Sequence, residues 1–220
     1  MGYGTITTFR RVSGITVDEM DDTEVQEYLN ESDRVVLEDL TVRVRLEELL
    51  GQQVNTNTVF RTLHAPIADS NFDKTIDASD IEVYGWSEDT YGRVTLTQLT
   101  VSEVLPELGV IILSSAPSGY DKIVANYRYY LCRYPVDWTL VEMASVYYAS
   151  YLAHLSLKGL IPPIFRLGSL SISWGRSGED KPYVRFYELY KTTVRRLVGA
   201  GYIKSHEAPK PKYYTNGDSV

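Results

Sequence analysis

Cysteine is nearly missing from this 220-residue chain. Cys132 stands alone, which excludes an intrachain disulfide and any cysteine-built zinc or iron–sulfur centre. A lone free thiol fits a reducing cytosol. Histidine is scarce too: His64, His154 and His206 lie far apart with no HExxH-type pair, so each reads as a packing or surface residue. No apolar run reaches the length of a membrane span, since the most apolar stretch, 136–164, is interrupted by Glu142, His154 and Lys158. Met1-Gly2-Tyr3-Gly4-Thr5 has no basic segment leading into an apolar run, so no signal peptide is expected. Nucleophile and phosphate signatures are absent as well: no GxSxG, no GxxxxGK followed by Ser or Thr, and no GxGxxG. The expectation is a soluble non-enzyme without a cofactor.

What is present is a chain 44% hydrophobic, enough for a core in one mixed domain or two small ones. The net charge of −7 hides an asymmetry: residues 1–110 hold 21 acids and 8 bases, residues 111–220 hold 8 acids and 14 bases. Such opposed halves suit head-to-tail association of copies, or they are solvated helix faces and nothing more.

Residues 1–15 show no helical period and read as a polar leader or arm. After Asp21-Asp22, Val25, Tyr28, Leu29, Ser32 and Val36 recur with helical spacing, predicting a helix over about 22–40. Eight acids and no base fall between Asp18 and Asp33, and those near the N-terminus suit the helix dipole. From Thr41 the period becomes two, with Val42, Val44 and Leu46 alternating with Arg43 and Arg45. Strand signals continue in Val59 to Leu63, Ile81 to Trp86, Arg93 to Thr97, Val110 to Leu113 and Lys122 to Leu131, separated by turn residues. Thr139 and Glu142 have the spacing of a capping box opening a helix over about 138–158. Trp138, Val141, Ser145, Tyr148, Leu152 and Leu155 form its stripe, yet Leu140, Met143, Tyr147 and Tyr151 lie off it. A helix apolar nearly all round must be covered on most sides, and neighbouring subunits are one natural cover. Gly159 and Pro162-Pro163 should stop it.

Leu167 to Trp174 alternates small polar and apolar residues, predicting an extended arm over 164–178. Pro182 opens a last helix to about 198, striped by Tyr183, Phe186, Tyr187, Tyr190, Val194 and Leu197. Residues 204–220 read as a flexible tail. The expected fold is α+β: a small helical bundle from 1–41 and 135–203, with a large antiparallel β-sandwich or barrel inserted over 42–134 and an extended arm.

Two constellations have alternative readings. Asp69, Asn71, Asp73, Thr75, Asp77 and Asp80 have the ligand offsets of a calcium loop, but Lys74 stands where such loops carry Gly; the other reading is a loop of Asx turns. Tyr127, Tyr129, Tyr130, Tyr147, Tyr148 and Tyr151 are either partner surfaces or core. Arg195, Arg196, Lys210 and Lys212 lack interleaved aromatics, so contact with nucleic acid is at most transient.

Asp21-Asp22-Thr23-Glu24-Val25, Met143 to Ala149, Gly168 to Ser173 and Phe186 to Leu197 together resemble the head-to-tail connector (adaptor) proteins of tailed bacteriophages and archaeal tailed viruses. The β module departs from compact connectors and is similar to modules of viral neck and tail proteins. The resemblance implies a virion protein of the head–tail interface, assembled in the host cytoplasm as a ring of twelve beneath the portal. It would continue the DNA channel and meet a tail or stopper protein. On that view the partner contacts are Leu170, Ile172 and Trp174 in the arm, Arg195 and Arg196 in the last helix, and Lys210, Lys212, Tyr213 and Tyr214 in the tail. A tail-completion or tail-terminator ring and a monomeric α+β binding module are the alternatives.

Overall fold

The computed structural model describes residues 2–51, 55–132, 134–158 and 182–199. In chain order they form α1 (Ile6–Ser13), α2 (Asp22–Leu40), β1 (Thr41–Glu48), β2 (Val59–Arg61), β3 (Glu82–Glu88), β4 (Val94–Leu99), β5 (Val101–Leu105), β6 (Val110–Leu113), β7 (Lys122–Tyr130), α3 (Trp138–Leu157) and α4 (Pro182–Val198). The fold is α+β, and its sheets do not close into a barrel. The expected arm and tail lie outside the described residues.

The N-terminal segment is not an arm. Thr5 caps α1 by accepting from the Thr8 N–H, and Gly14, at φ 74°, closes it in the left-handed conformation that suits glycine. The helix has only two turns, so the recurrence of Ile6, Phe9 and Ser13 is too short to stand out among polar neighbours. Ahead of it, Tyr3 is almost wholly buried, with its hydroxyl donating to the Asp69 carbonyl at 3.1 Å. The chain enters so closely that a Cβ on Gly4 would lie 2.6 Å from Leu29 Cδ2 and 2.8 Å from Ser145 Oγ.

Asp21 caps α2 through the Glu24 N–H, and the whole expected stripe, Val25, Tyr28, Leu29, Ser32 and Val36, is buried. The anticipated Thr139–Glu142 capping box is replaced by Asp137, whose carboxylate accepts from the Thr139 and Leu140 N–H groups. Glu142 instead accepts from the Thr8 hydroxyl of α1 at 2.8 Å. A second correction concerns the cover of α3. From Leu140 to Ser156 none of its residues is exposed, because α1, α2 and α4 pack on it from the same chain. Its small residues Ala144, Ala149 and Ala153 are fully buried, which lets those helices come close.

The strands make two antiparallel sheets of order β1-β7-β3-β4 and β2-β6-β5. Their facing sides share one core of Leu49, Phe60, Ile67, Ile81, Val83, Val104, Ile111, Leu113, Ile123, Ala125 and Tyr127. β5 was not foreseen. It follows β4 with only Thr100 between, and the two strands belong to different sheets. In β1 the expected alternation holds through Val44, then a bulge before Glu47 turns Leu46 out to solvent at φ 49°. The Leu46 N–H freed by the bulge donates to Asn126 Oδ1 at 2.8 Å.

Helices and sheets are not separately packed. Ala68, Phe72, Tyr130 and Cys132 join the helical core, and Ile76 touches both that core and the one between the sheets. Burial pushes the Cys132 thiol up to about 11. Its reaction with a disulfide reagent at pH 8 is therefore expected to be at least about a hundred-fold slower in the native protein than in denaturant. A native rate within about tenfold of the unfolded one would place Cys132 at the surface.

Candidate assembly surfaces

The helical bundle is antiparallel, and that orientation decides where its charges end up. Ring pairs Tyr148–Tyr190, Tyr151–Tyr187 and His154–Phe186, at 4.9, 5.0 and 5.3 Å, run in opposite chain directions along α3 and α4. On the other side, the Ser32 hydroxyl donates to the Ser145 carbonyl and Tyr28 reaches Ser156, so α2 is antiparallel to α3 as well. The start of α2 therefore shares an end of the bundle with the start of α4. At that end Asp18, Glu19, Asp21, Asp22, Glu24 and Glu27 are all exposed. Asp22 pairs with Arg10, while Asp21 is occupied as a cap.

Arg195 and Arg196 lie in the last turn of α4, at the other end, both exposed and without an ion pair to any described carboxylate. Ten residues from Phe186 to Arg196 make an axial separation of about 15 Å. The first end is thus mainly acidic, although Arg11, Lys158 and Arg185 are exposed there too. The opposite end presents the Arg195–Arg196 pair, with Glu38 and Asp137 also exposed.

The tyrosines divide: Tyr127 and Tyr130 are buried core, whereas Tyr129, Tyr147, Tyr148 and Tyr151 are half-buried, packed on one side and partly open on the other. Desolvation raises the phenols of Tyr148, Tyr151 and Tyr190 above the ordinary value.

The Asp69–Asp80 loop is built of Asx turns. The buried Asp69 carboxylate accepts from the Asn71, Phe72 and Lys74 N–H groups, while that of Asp80 accepts from Ser70 and Asp77. Lys74, at φ 68°, takes the left-handed turn that a calcium loop assigns to Gly. Burial raises both carboxyls above their usual range. Among the described residues no group of three or more His, Cys, Asp or Glu is placed to hold a metal ion.

Beside this loop, a cleft of about 410 Å³ is lined by Arg34, Arg43 and Arg128 together with Glu38, Asp80 and Glu82. Arg128 is already paired with Glu38. The balanced charges favour neither an anion nor a cation.

The sheets add surfaces that periodicity did not single out. On the outer side of the three-stranded sheet, register aligns Val59, Ile112 and Glu103 in one row and Arg61, Val110 and Leu105 in the next. With exposed Leu63 and Leu108 this face is largely apolar. On the four-stranded sheet, β4 is an edge strand, and its residues from Val94 to Gln98 are all exposed.

Of the expected partner contacts, only Arg195 and Arg196 are described, and both reach solvent. Leu170, Ile172, Trp174, Lys210, Lys212, Tyr213 and Tyr214 lie outside the described residues. No helix among the described residues is long and apolar enough to cross a membrane. No protein-family model matches the chain, and a search of curated proteins finds no match.

Proposed function

We propose that the chain is a structural virion subunit that closes into a ring below the portal of a tailed virus, joining the capsid to the tail and continuing the DNA channel. The observation that carries this reading is the pair of unlike charged patches at opposite ends of the helical bundle. Each is exposed, and their complementarity suits a heterologous contact in which the acidic end of one copy meets the basic end of the next. Such contacts close into rings when the rotation between copies divides a full turn, and the connector resemblance implies twelve. In this assembly the apolar outer face of the three-stranded sheet would meet the tail or stopper protein. Arg195 and Arg196 would graze DNA in passage only where a neighbour's acids leave them uncovered.

Electron microscopy of the chain mixed with the portal and neck proteins encoded beside it tests the reading. A ring attached to the portal is the expected result, whereas a six-fold ring bound only to tail proteins would make the chain a tail terminator. Reversing the patch with Arg195→Glu and Arg196→Glu should abolish the ring at physiological salt. Mixing in copies carrying Glu24→Lys and Glu27→Lys should restore association.

A monomeric α+β binding module is the second reading, favoured by the packing of α3 within one chain, which leaves no residue from Leu140 to Ser156 exposed. A sharp monomer peak in solution with no association to any virion protein would select it.

A further inference from the structure

Among the described residues the two sheets present four edge strands, and three of them are blunted. β1 is bulged between Val44 and Glu47 and carries Arg43, Arg45, Glu47 and Glu48. β2 is only three residues long. β5 is bulged between Val101 and Glu103 and carries that glutamate. These are the devices by which sheets avoid adding further strands. β4 has none of them. Its six residues, Val-Thr-Leu-Thr-Gln-Leu, hold no charge and no proline, and its register with β3 runs unbroken from Val94 to Leu99. One side of this edge presents Val94 and Leu96, the latter paired with Trp86, and the other presents Thr95 and Thr97.

The same chain contains a segment whose alternation resembles that of Val94 to Thr97, with Gln98 and Leu99 departing from it. Leu170, Ile172 and Trp174 alternate with Ser169, Ser171 and Ser173, again without charge or proline. It belongs to the connection 159–181 between α3 and α4, helices that pack side by side and antiparallel. Neighbours of that kind are ordinarily joined by about 2–8 residues. The surplus is enough for an extended excursion of about 35 Å out and back.

We propose that Ser169–Trp174 of one copy adds as a fifth strand to the free edge of β4 in a neighbouring copy. The inference rests on the reading that copies of the chain assemble with one another. Backbone N–H and C=O groups along β4 supply the pairing, while Leu170, Ile172 and Trp174 extend the apolar strip of Leu96 and Trp86. The serines then face Thr95 and Thr97, a favourable cross-strand pairing of hydroxyls.

The test uses full-length chains with one engineered thiol each. Protein carrying Leu96→Cys is mixed with protein carrying Leu170→Cys, Ile172→Cys or Trp174→Cys, with the portal present, under mild oxidation. Adjacent strands bring facing Cα atoms within disulfide range, so one of the three pairings should give a mixed dimer. Its yield is expected to exceed tenfold that of Leu96→Cys mixed with Glu107→Cys, an exposed turn residue. Rings seen by microscopy with no mixed dimer above that control would overturn the strand exchange and leave the ring reading standing. A link confined to one chain in the Leu96→Cys, Ile172→Cys double variant would also overturn it. A mixed dimer without rings would retain the exchange and remove the ring; neither product would sink both.

Discussion

Asp33→Ala is expected to lose about 3–5 kcal/mol of stability in urea unfolding, with a fall in melting temperature on the order of 10 °C. The Asp33 carboxylate is buried and accepts three donors: the Tyr3 N–H at 3.1 Å, the Gly4 N–H at 3.4 Å and the Ser145 hydroxyl at 2.6 Å. It ties the entering chain to α2 and α3 at once. Removing it strands those donors away from water, which is more costly than the loss of an exposed hydrogen bond. Asp33→Asn keeps one oxygen acceptor and should lose less. Burial also raises the Asp33 carboxyl above its usual range, in spite of the three donors. For an acid with a raised folded pKa, the folded protein binds more protons than the unfolded chain, so stability falls as pH rises through that pKa. The gap between the native protein and Asp33→Ala should therefore widen as pH is lowered from 7 toward the ordinary carboxylate range, then level off. A gap that narrows on acidification would mean the carboxyl is held below its usual range.

Tyr3→Ala should cost about 3–5 kcal/mol, as for truncation of a buried aromatic. The Tyr3 ring packs against Phe72 at 5.3 Å and Trp138 at 6.0 Å, joining the Asp69 loop to the start of α3. Tyr3→Phe removes only the hydroxyl donated to the Asp69 carbonyl and should cost about 1 kcal/mol. Both residues anchor the same N-terminal segment, Asp33 through the Tyr3 and Gly4 backbone N–H groups and Tyr3 through its side chain. With either one gone the segment is already loosened, so the double variant should lose less than the sum of the two single losses. Hydrogen exchange of residues 6–13 provides an independent readout, since α1 should open once its anchor is gone. Stability of Tyr3→Ala within about 1 kcal/mol of the native protein would reduce the N-terminus to a dispensable extension.

The candidate assembly surfaces were legible in unequal measure. Arg195 and Arg196 fall off the apolar stripe of α4, so helical period alone predicts their exposure. The outer face of the three-stranded sheet was not legible, because Val59, Leu105 and Leu108 look like core residues until the sheet order assigns their sides. The free edge of β4 was equally hidden. Nothing in Val-Thr-Leu-Thr-Gln-Leu distinguishes an edge strand from a central one, since that depends on which strands pair. The Asp137 cap was missed for a simpler reason: Thr139 and Glu142 offered a better-known spacing two residues later, and Glu142 was drawn to α1 instead.

Local chemistry by itself determined α2, α3 and α4 nearly to the residue, the strand character of the middle of the chain and its α+β class. Side-chain period and capping act over a few residues and need no knowledge of the rest. Only the tertiary structure decided that the N-terminus is buried core, that α3 is covered by its own chain and that acidic and basic patches occupy opposite ends of the bundle. Each of those outcomes depends on which distant segments meet. Tyr3 finds Asp69 and Asp33, α3 finds three helices, and β4 finds a partner on one side only among the described residues, through long-range packing that no local pattern encodes.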